Sequence, residues 1–305
     1  MKIYFLFTVK RKIILHKIFI IILDLYILEE NKKMNKQTQN LMIFILSMAL
    51  YGIATLFTEL IPSFQIGIIE ISVEYFLFIP LTLAMLFSPL PVALGAATGE
   101  IVFSEIMLGQ FGGIGELEKF ITLAIGIYIA GRMVKDPKNK KMVAIAAISG
   151  VIIQQFMGCC IDILKVQFAI EEFEAVAGLP ESVFFTEGFA FLNDVLFSGI
   201  LFCMLPTIFL APKLYGKIEP LLGMRPRNPQ TSFEGISPKI ILSSIGFFIL
   251  AIISEFLAEN GMALIEWEAE WAGNTNSIFI GIIVAFIISI ITLFAMKKKK
   301  NTEVK

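Results

Sequence analysis

Apolar residues fill most of this chain in long uninterrupted runs, and short polar segments separate the runs. A helix needs about 20 apolar residues to cross the hydrocarbon core of a bilayer, and these runs are of that order. They do not alternate between apolar and polar positions as the strands of a membrane barrel do. The pattern therefore predicts an all-α polytopic membrane helical bundle of about eight transmembrane helices, at residues 41–60, 71–88, 91–108, 117–132, 142–163, 186–211, 239–258 and 275–295.

Composition agrees, because 57% of the residues are hydrophobic and only 17% are charged. A soluble domain is roughly 45–50% apolar and about 25% charged. With eight spans, every loop rich in Lys and Arg falls on one side, which the positive-inside rule makes cytoplasmic. We therefore expect a multi-pass protein of the cell membrane with both ends of its main body in the cytoplasm. The basic segments precede the first span, follow the last one and occupy 132–141 and 213–239.

The order of the segments suggests four parts. Residues 1–33 are an N-terminal extension that fits neither a span nor a signal peptide. We expect either that the chain starts at Met34 or that this extension lies at the membrane surface. The other parts are a six-helix membrane core (34–211), a proline-rich cytoplasmic linker (212–238) and a two-helix membrane appendage with a basic tail (239–305).

Carboxylates and amides lie within or beside the predicted spans, mostly in the outer half of the membrane. Ionisable groups inside a bilayer are costly and usually face a bundle interior or a water-filled cavity. The alternatives are pairing with nearby lysines at the span ends and hydrogen bonding between helices. On an α-helix Glu105 is about 140° from Glu100, so we do not expect these two to point into one spot. The predicted substrate-binding residues are Glu74, Glu100, Glu105, Gln110, Gln155, Asn193 and Asp194.

Small residues recur on the first and third predicted spans, where they allow two helix backbones to approach closely. They form either a surface for a partner protein or an ordinary contact within the chain. The candidate partner-contact residues are Ala49, Gly52, Ala54, Gly95 and Gly99.

Motifs of enzymes are missing from the sequence: there is no Walker motif, HExxH, GxSxG or serine–histidine arrangement. The three cysteines lie in apolar runs, and the single histidine lies in the N-terminal extension. We therefore expect no enzymatic activity, cofactor, metal site or nucleic-acid partner.

The stretch Ile69–Pro80, the turn Phe87-Ser88-Pro89 and the small-residue helix from Val92 to Glu100 carry a resemblance to a known family. Residues 41–211 resemble the substrate-binding (S) component of energy-coupling-factor transporters, the vitamin-uptake branch of the ABC transporters. The chain departs from that family in three ways: Ser88 stands where glycine is usual, Glu100 where aspartate is common, and two spans are added.

The resemblance implies a capture site for a small molecule on the outer side of the membrane. It would be capped by loops 61–73, 109–117 and 165–185. It also implies a transmembrane coupling protein and ABC ATPase subunits as partners.

We thus expect a substrate-capture subunit of an ATP-driven importer of small, vitamin-like nutrients. Because the predicted cavity is acidic, we expect a cationic or amine-bearing substrate. The alternatives are a stand-alone secondary transporter or channel that uses Glu100 and Asp194, and a non-transporting membrane assembly protein.

Overall fold

A computed structural model describes most of the chain after its N-terminal extension. Its described residues are 36–59, 61, 64–66, 69–71, 76–173, 175–176, 178–227, 235–262, 264 and 267–268. The predicted extension (1–33) and the predicted eighth span (275–295) lie outside them. The α-helices are α1 (Lys36–Thr58), α2 (Phe78–Leu86), α3 (Pro89–Glu100), α4 (Glu116–Met133), α5 (Lys140–Gln167), α6 (Val183–Asp194), α7 (Leu205–Leu214) and α8 (Pro238–Leu257).

Three π-helical segments continue these helices, and four short strands and two 3₁₀ turns complete the described elements. The π segments are Ile101–Ile106 after α3, Val195–Met204 between α6 and α7, and Ala258–Met262 after α8. The strands are β1 (Phe64–Ile66), β2 (Ile69–Ile71), β3 (Gln110–Phe111) and β4 (Trp267–Glu268), and the 3₁₀ turns are Gly113–Gly115 and Pro220–Leu222.

Four helical stretches are long and apolar enough to span a membrane: Lys36–Thr58, Lys140–Gln167, Val183–Leu214 and Pro238–Met262. They contain the first, fifth, sixth and seventh predicted spans almost entirely. The prediction of a helical membrane protein is therefore confirmed at this level.

The second predicted span, 71–88, is much shorter as a helix than the sequence suggested. Its helix α2 has nine residues, which extend about 14 Å, whereas the hydrocarbon core is about 30 Å thick. The first residue of the predicted span, Ile71, belongs to β2 instead, which pairs antiparallel with β1. The backbone polar groups of Ile69–Ile71 are thus used in a strand ladder.

Local signals fix several helix starts. Pro89 and Pro238 occupy the first turn of α3 and α8, where a missing N–H costs nothing. The side chain of Asn139 accepts hydrogen bonds from the backbone N–H groups of Lys141 and Met142, at 3.1 and 3.3 Å, and so caps α5.

Helix α4 lies at the centre of the bundle and contacts α2, α3, α5 and α8. The main buried cluster includes Leu81, Val92, Leu123 and Val151 from α2 to α5. A second cluster joins α4 and α5 to Ala251 of α8. The first helix of the predicted appendage, 239–258, therefore packs directly on the core helices.

Helices α1 and α3 approach each other through glycines. A β-carbon at Gly95 would collide with the carbonyl oxygen of Phe44, and one at Gly99 with that of Met48. The hydroxyl of Ser47 donates to the carbonyl of Val92 at 2.8 Å across the same contact. Close backbone approach of this kind is what small residues provide between helices in membranes.

The predicted partner-contact residues thus lie mainly inside the chain. Gly95 and Gly99 belong to the α1–α3 contact, and a β-carbon at Gly52 would collide with the ring of Phe103. Ala54 is buried, and Ala49 is half-buried. A contact between these residues and a partner protein stays a prediction, because the structure uses the three glycines for intrachain packing.

Arg227 ties the segment after α7 to the end of the bundle. Its Nη1 donates to the carbonyls of Gly131 and Val134, each at 3.0 Å. Its Nη2 donates to the carbonyl of Ala84 at 2.7 Å and to that of Phe87. Carbonyls at helix C-termini lack partners within the helix, so one guanidinium satisfies the ends of α2 and α4 together.

Burial lowers the pKa of Arg227 to about 10, which still leaves the guanidinium charged at neutral pH. The hydroxyl of Tyr215 donates to the Arg227 carbonyl, and the Gln39 amide donates to the Gly223 carbonyl at 3.0 Å. The described part of the predicted linker is therefore docked on the bundle.

The glycine contact predicts opposite effects for two alanine substitutions. Gly99→Ala should lower the free energy of unfolding by about 1–3 kcal/mol, because the added methyl forces α1 and α3 apart. Gly188→Ala on α6 is the matched control, since its β-carbon meets no described heavy atom within 4 Å. It should be neutral or stabilising by up to about 1 kcal/mol. Denaturation of the purified protein in detergent measures both, and equal effects would contradict the contact.

Candidate functional site

A polar cavity of about 240 Å³ opens between the ends of α1, α3, α4 and α5. Five carboxylates contribute to its wall, together with one lysine and several neutral polar groups. The lining residues are Glu59, Glu100, Glu105, Glu118, Lys119, Thr122, Gln154, Gln155, Gly158 and Asp162. We call this cavity the acidic pocket.

The π-helical segment after α3 brings Glu100 and Glu105 to the same pocket. A π-helix pairs residue i with residue i+5, so residues five apart come close to one above the other. The hydroxyl of Ser104 donates back to the Glu100 carbonyl at 2.7 Å within this segment. The expectation that the two carboxylates point to different places is therefore wrong, because it assumed α-helical geometry.

Glu100 presents a carboxylate oxygen whose hydrogen-bonding capacity is not used. Its Oε2 is buried and has no hydrogen-bond partner within the described part of the chain. The adjacent Gly99 lies against the Met48 carbonyl, which fixes Glu100 beside α1. An unsatisfied buried carboxylate oxygen is costly, so a hydrogen bond to it would be stabilising.

Lys119 neutralises part of the acidic wall. Its Nζ lies 3.0 Å from Glu105 Oε1 and 3.5 Å from Glu116 Oε2. The lysine side chain is 49% exposed, whereas the two glutamates are 10% and 7% exposed. Glu116 also accepts the backbone N–H of Gly112 at 3.1 Å. Glu116 and Lys119 thus form an ion pair. This agrees with the alternative that carboxylates at span ends pair with nearby lysines.

Lys165 forms a second ion cluster next to the pocket. Its Nζ lies 3.2 Å from Asp162 Oδ1, 3.1 Å from Glu171 Oε2 and 3.6 Å from Glu255 Oε1. Since Asp162 lines the pocket and Glu255 belongs to α8, this cluster joins the pocket wall to α8. The ion pair of Asp162 with Lys165 is a second case of a carboxylate at a span end that pairs with a nearby lysine.

The lining residues carry five potential negative charges against one positive charge. In a medium of low dielectric constant such an imbalance favours either a bound cation or protonation of some of the carboxyl groups. Among the residues that the structure describes, no three His, Cys, Asp or Glu side chains converge as metal ligands would. The arrangement suits an amine or guanidine group that donates hydrogen bonds to the carboxylates of the pocket wall.

Three of the seven predicted substrate-binding residues line the acidic pocket: Glu100, Glu105 and Gln155. Asp194 lies behind them and accepts a hydrogen bond from Gln155 Nε2 at 3.4 Å. The neighbouring Asn193 is half-buried on α6.

The other two predicted residues are Gln110 and Glu74. Gln110 is exposed and belongs to β3, so it does not line the pocket as predicted. The strand β3 pairs antiparallel with β4, which places the 109–117 loop beside the segment after α8. Glu74 lies outside the described residues.

The predicted substrate-binding residues did not include the rest of the pocket lining, which is Glu59, Glu118, Lys119, Thr122, Gln154, Gly158 and Asp162. Gln154, Gly158 and Asp162 recur every four residues on α5, a spacing that places them on one helix face. Glu118 and Thr122 show the same spacing on α4. These two repeats with a spacing of four residues were the sequence signal from which the α4 and α5 parts of the pocket wall could have been predicted.

The fold and the pocket define a helical membrane protein with an acidic cavity at one end of its bundle. The chain belongs to a family of unknown function, DUF8171, whose model matches residues 42–305. No curated protein and no solved structure matches the chain.

Removing the lysine of the pocket should destabilise the protein. Lys119→Met leaves the buried Glu105 and Glu116 without their cation, which should cost about 1–2 kcal/mol, near the low end for charged partners because Lys119 is half exposed. The loss should shrink at acidic pH, where the two carboxyl groups become neutral. Lys141→Met, an exposed lysine on α5, should change little. Thermal unfolding across a pH series measures both variants, and a pH-independent loss in Lys119→Met would contradict the ion-pair account.

Proposed function

We propose that this chain binds a small cationic or amine-bearing solute in the acidic pocket for passage across the membrane. The observation that carries the proposal is Glu100, which lines a pocket rich in carboxylates and whose buried Oε2 has no hydrogen-bond donor among the described residues. A charge-assisted hydrogen bond from an ammonium or guanidinium group would satisfy it.

The size and polarity of the pocket support a small organic solute. Pockets for drug-sized ligands usually measure about 300–1,000 Å³, and this one is smaller, at about 240 Å³. Thr122, Gln154 and Gln155 offer neutral donors and acceptors beside the carboxylates. These groups suit the uncharged part of a solute that carries one basic nitrogen.

The direction of the helices supports a pocket on the extracytoplasmic side. Helices α1, α3 and α5 end near the pocket, whereas α4 begins there and runs to the basic segment 132–141. Lysine and arginine favour the cytoplasmic side. We therefore place the basic segment 132–141 on the cytoplasmic side, and the topology of eight spans with both ends of the main body in the cytoplasm stays a prediction.

The proposed driving machinery rests on the sequence resemblance at 69–100. An S component would hand its solute to a transmembrane coupling protein and ABC ATPase subunits, and it would hydrolyse no ATP itself. The helical bundle and the acidic pocket are compatible with this role.

A second candidate function is a stand-alone secondary transporter. One specific observation favours it: π-helical segments begin directly after Glu100 and directly after Asp194. Such segments are frequent at functional sites, and interrupted helices beside ionisable groups are a feature of secondary transporters.

Replacing Glu100 by glutamine should abolish most of the affinity for cationic solutes. Glu100→Gln keeps the shape of the side chain but replaces one carboxyl oxygen by an N–H donor, which would repel the N–H of a bound amine, so affinity for an amine-bearing ligand should fall at least about tenfold. Glu172→Gln, at an exposed loop position, is the matched control and should leave affinity unchanged.

Isothermal titration of the purified protein with amine-bearing vitamins, their precursors and neutral analogues measures this effect. Binding of no amine, or equal binding to both variants, would contradict the proposal.

The two modes of transport differ in what the chain does alone. As a capture subunit, it should retain labelled solute in proteoliposomes without accumulating it, and ATPase subunits should copurify with it from its own cells. As a secondary transporter, it should accumulate solute under a proton or sodium gradient without ATP, and Asp194→Asn should abolish this uptake. Gradient-driven uptake by the chain alone would overturn the importer-subunit role while leaving the solute site intact.

A further inference from the structure

A second cavity, of about 510 Å³, lies at the opposite end of the bundle from the acidic pocket. The same three helices reach both ends: α1 contributes its start, α3 its first turn and α4 its last turns. The segment that follows α7 closes the remaining side. The residues whose charge or amide faces this basic cavity are Lys36, Asn40, Arg132, Arg225 and Arg227.

Its charge is opposite to that of the acidic pocket, since four basic residues and no acidic residue are among the described residues of the wall. Glu219, a buried carboxylate of the neighbouring segment, accepts the backbone N–H of Gly216 at 2.7 Å and does not line the cavity. Four like charges around one space repel each other, and a bound anion would remove that cost.

The four cations divide into two structural anchors and two side chains left for a ligand. Arg227 donates to four backbone carbonyls. Arg132 donates to the Gly235 carbonyl at 3.0 Å and lies 5.9 Å from the centre of the Tyr128 ring. Lys36 and Arg225 are exposed and form no hydrogen bond or ion pair within the described ranges. Both line the cavity, so their charges are available.

We propose that this basic cavity binds a phosphate group, either that of an anionic phospholipid or that of a free phosphate-bearing anion. Arginine and lysine are the side chains that recognise phosphate, arginine through paired donors. Basic pockets between transmembrane helices at the cytoplasmic side are suited to anionic head groups. In the proposed topology the helix ends that form the cavity lie on the cytoplasmic side, at the level of such head groups.

The test compares two double variants that lose the same charge. Lys36→Gln with Arg225→Gln removes the two available cations of the cavity. Lys141→Gln with Lys217→Gln removes two exposed cations of the same end that do not line it. Any loss from general electrostatic attraction should be equal in the two proteins.

Two ligands separate the sources of the phosphate. The full-length protein in neutral detergent is titrated with phosphatidylglycerol in one arm and with inorganic phosphate in the other, and the rise in unfolding temperature gives the apparent affinity. A rise with phosphatidylglycerol alone assigns the site to a lipid head group, and a rise in both arms assigns it to phosphate in general.

In the cavity variant the apparent affinity should fall at least about tenfold, given roughly 1 kcal/mol per cation at an anionic surface. In the control variant it should stay within about twofold of wild type. Lys36→Arg with Arg225→Lys should retain binding, which separates lost charge from altered folding. No binding in either arm, or equal losses in the two glutamine variants, would overturn the proposal. Either result is independent of amine binding at the acidic pocket.

Discussion

The close approach of α1 and α3 is the constraint on which the acidic pocket depends. Because Gly95 and Gly99 have no side chain, the backbone of α3 lies directly against the carbonyls of Phe44 and Met48. Glu100 follows Gly99 immediately, so this contact sets the position of its backbone beside α1. Gly95 and Gly99 have no functional side chains, but their contact with α1 positions Glu100, the residue proposed to bind the solute.

The π-helical segment after α3 brings a second carboxylate, that of Glu105, to the acidic pocket beside Glu100. In a continuous α-helix, Glu105 would point away from Glu100, and only one carboxylate of α3 would reach the cavity. The i to i+5 pattern of Ile101–Ile106 turns both toward α4 and α5. No proline or glycine lies within this segment, so the sequence offers no local reason to expect the change. The surrounding helices must hold it, through contacts such as the 3.0 Å pair of Lys119 with Glu105.

The sequence was sufficient to predict the long apolar helices. It was insufficient where an apolar run can form either a helix or a strand. Four of the predicted spans fall in helices able to cross a membrane. The second predicted span, 71–88, has the composition of a transmembrane helix, but its first residue belongs to strand β2. The alternation Phe64-Gln65-Ile66 and Ile69-Glu70-Ile71 has the period of two that indicates a hairpin. That local signal was outweighed by the overall hydropathy of the region.

The site could be predicted only in part for a similar reason. Glu100, Glu105 and Gln155 stand out because a polar residue inside an apolar run is conspicuous. Lys119 stands at the start of a predicted span, where a lysine is ordinary, so its contact with Glu105 across 14 residues is not visible in the pattern. Contacts from Arg227 to Ala84 span 143 residues and depend on the complete bundle. Spacing along one helix carries no information about such distant pairs.

Incomplete pairing of charge is what separates a binding site from a structural ion cluster. Lys165 lies within 4 Å of three carboxylates and Lys119 within 4 Å of two, so five acidic side chains at this end of the bundle have a cation nearby. Had every carboxylate a partner, the cluster would stabilise the fold but would gain nothing by binding a cation. The Oε2 of Glu100 is instead buried and has no donor among the residues that the structure describes, which is costly. A ligand that supplies the missing donor recovers this cost on binding, which is why an unsatisfied group in a rigid wall favours association more than the same group on a flexible loop.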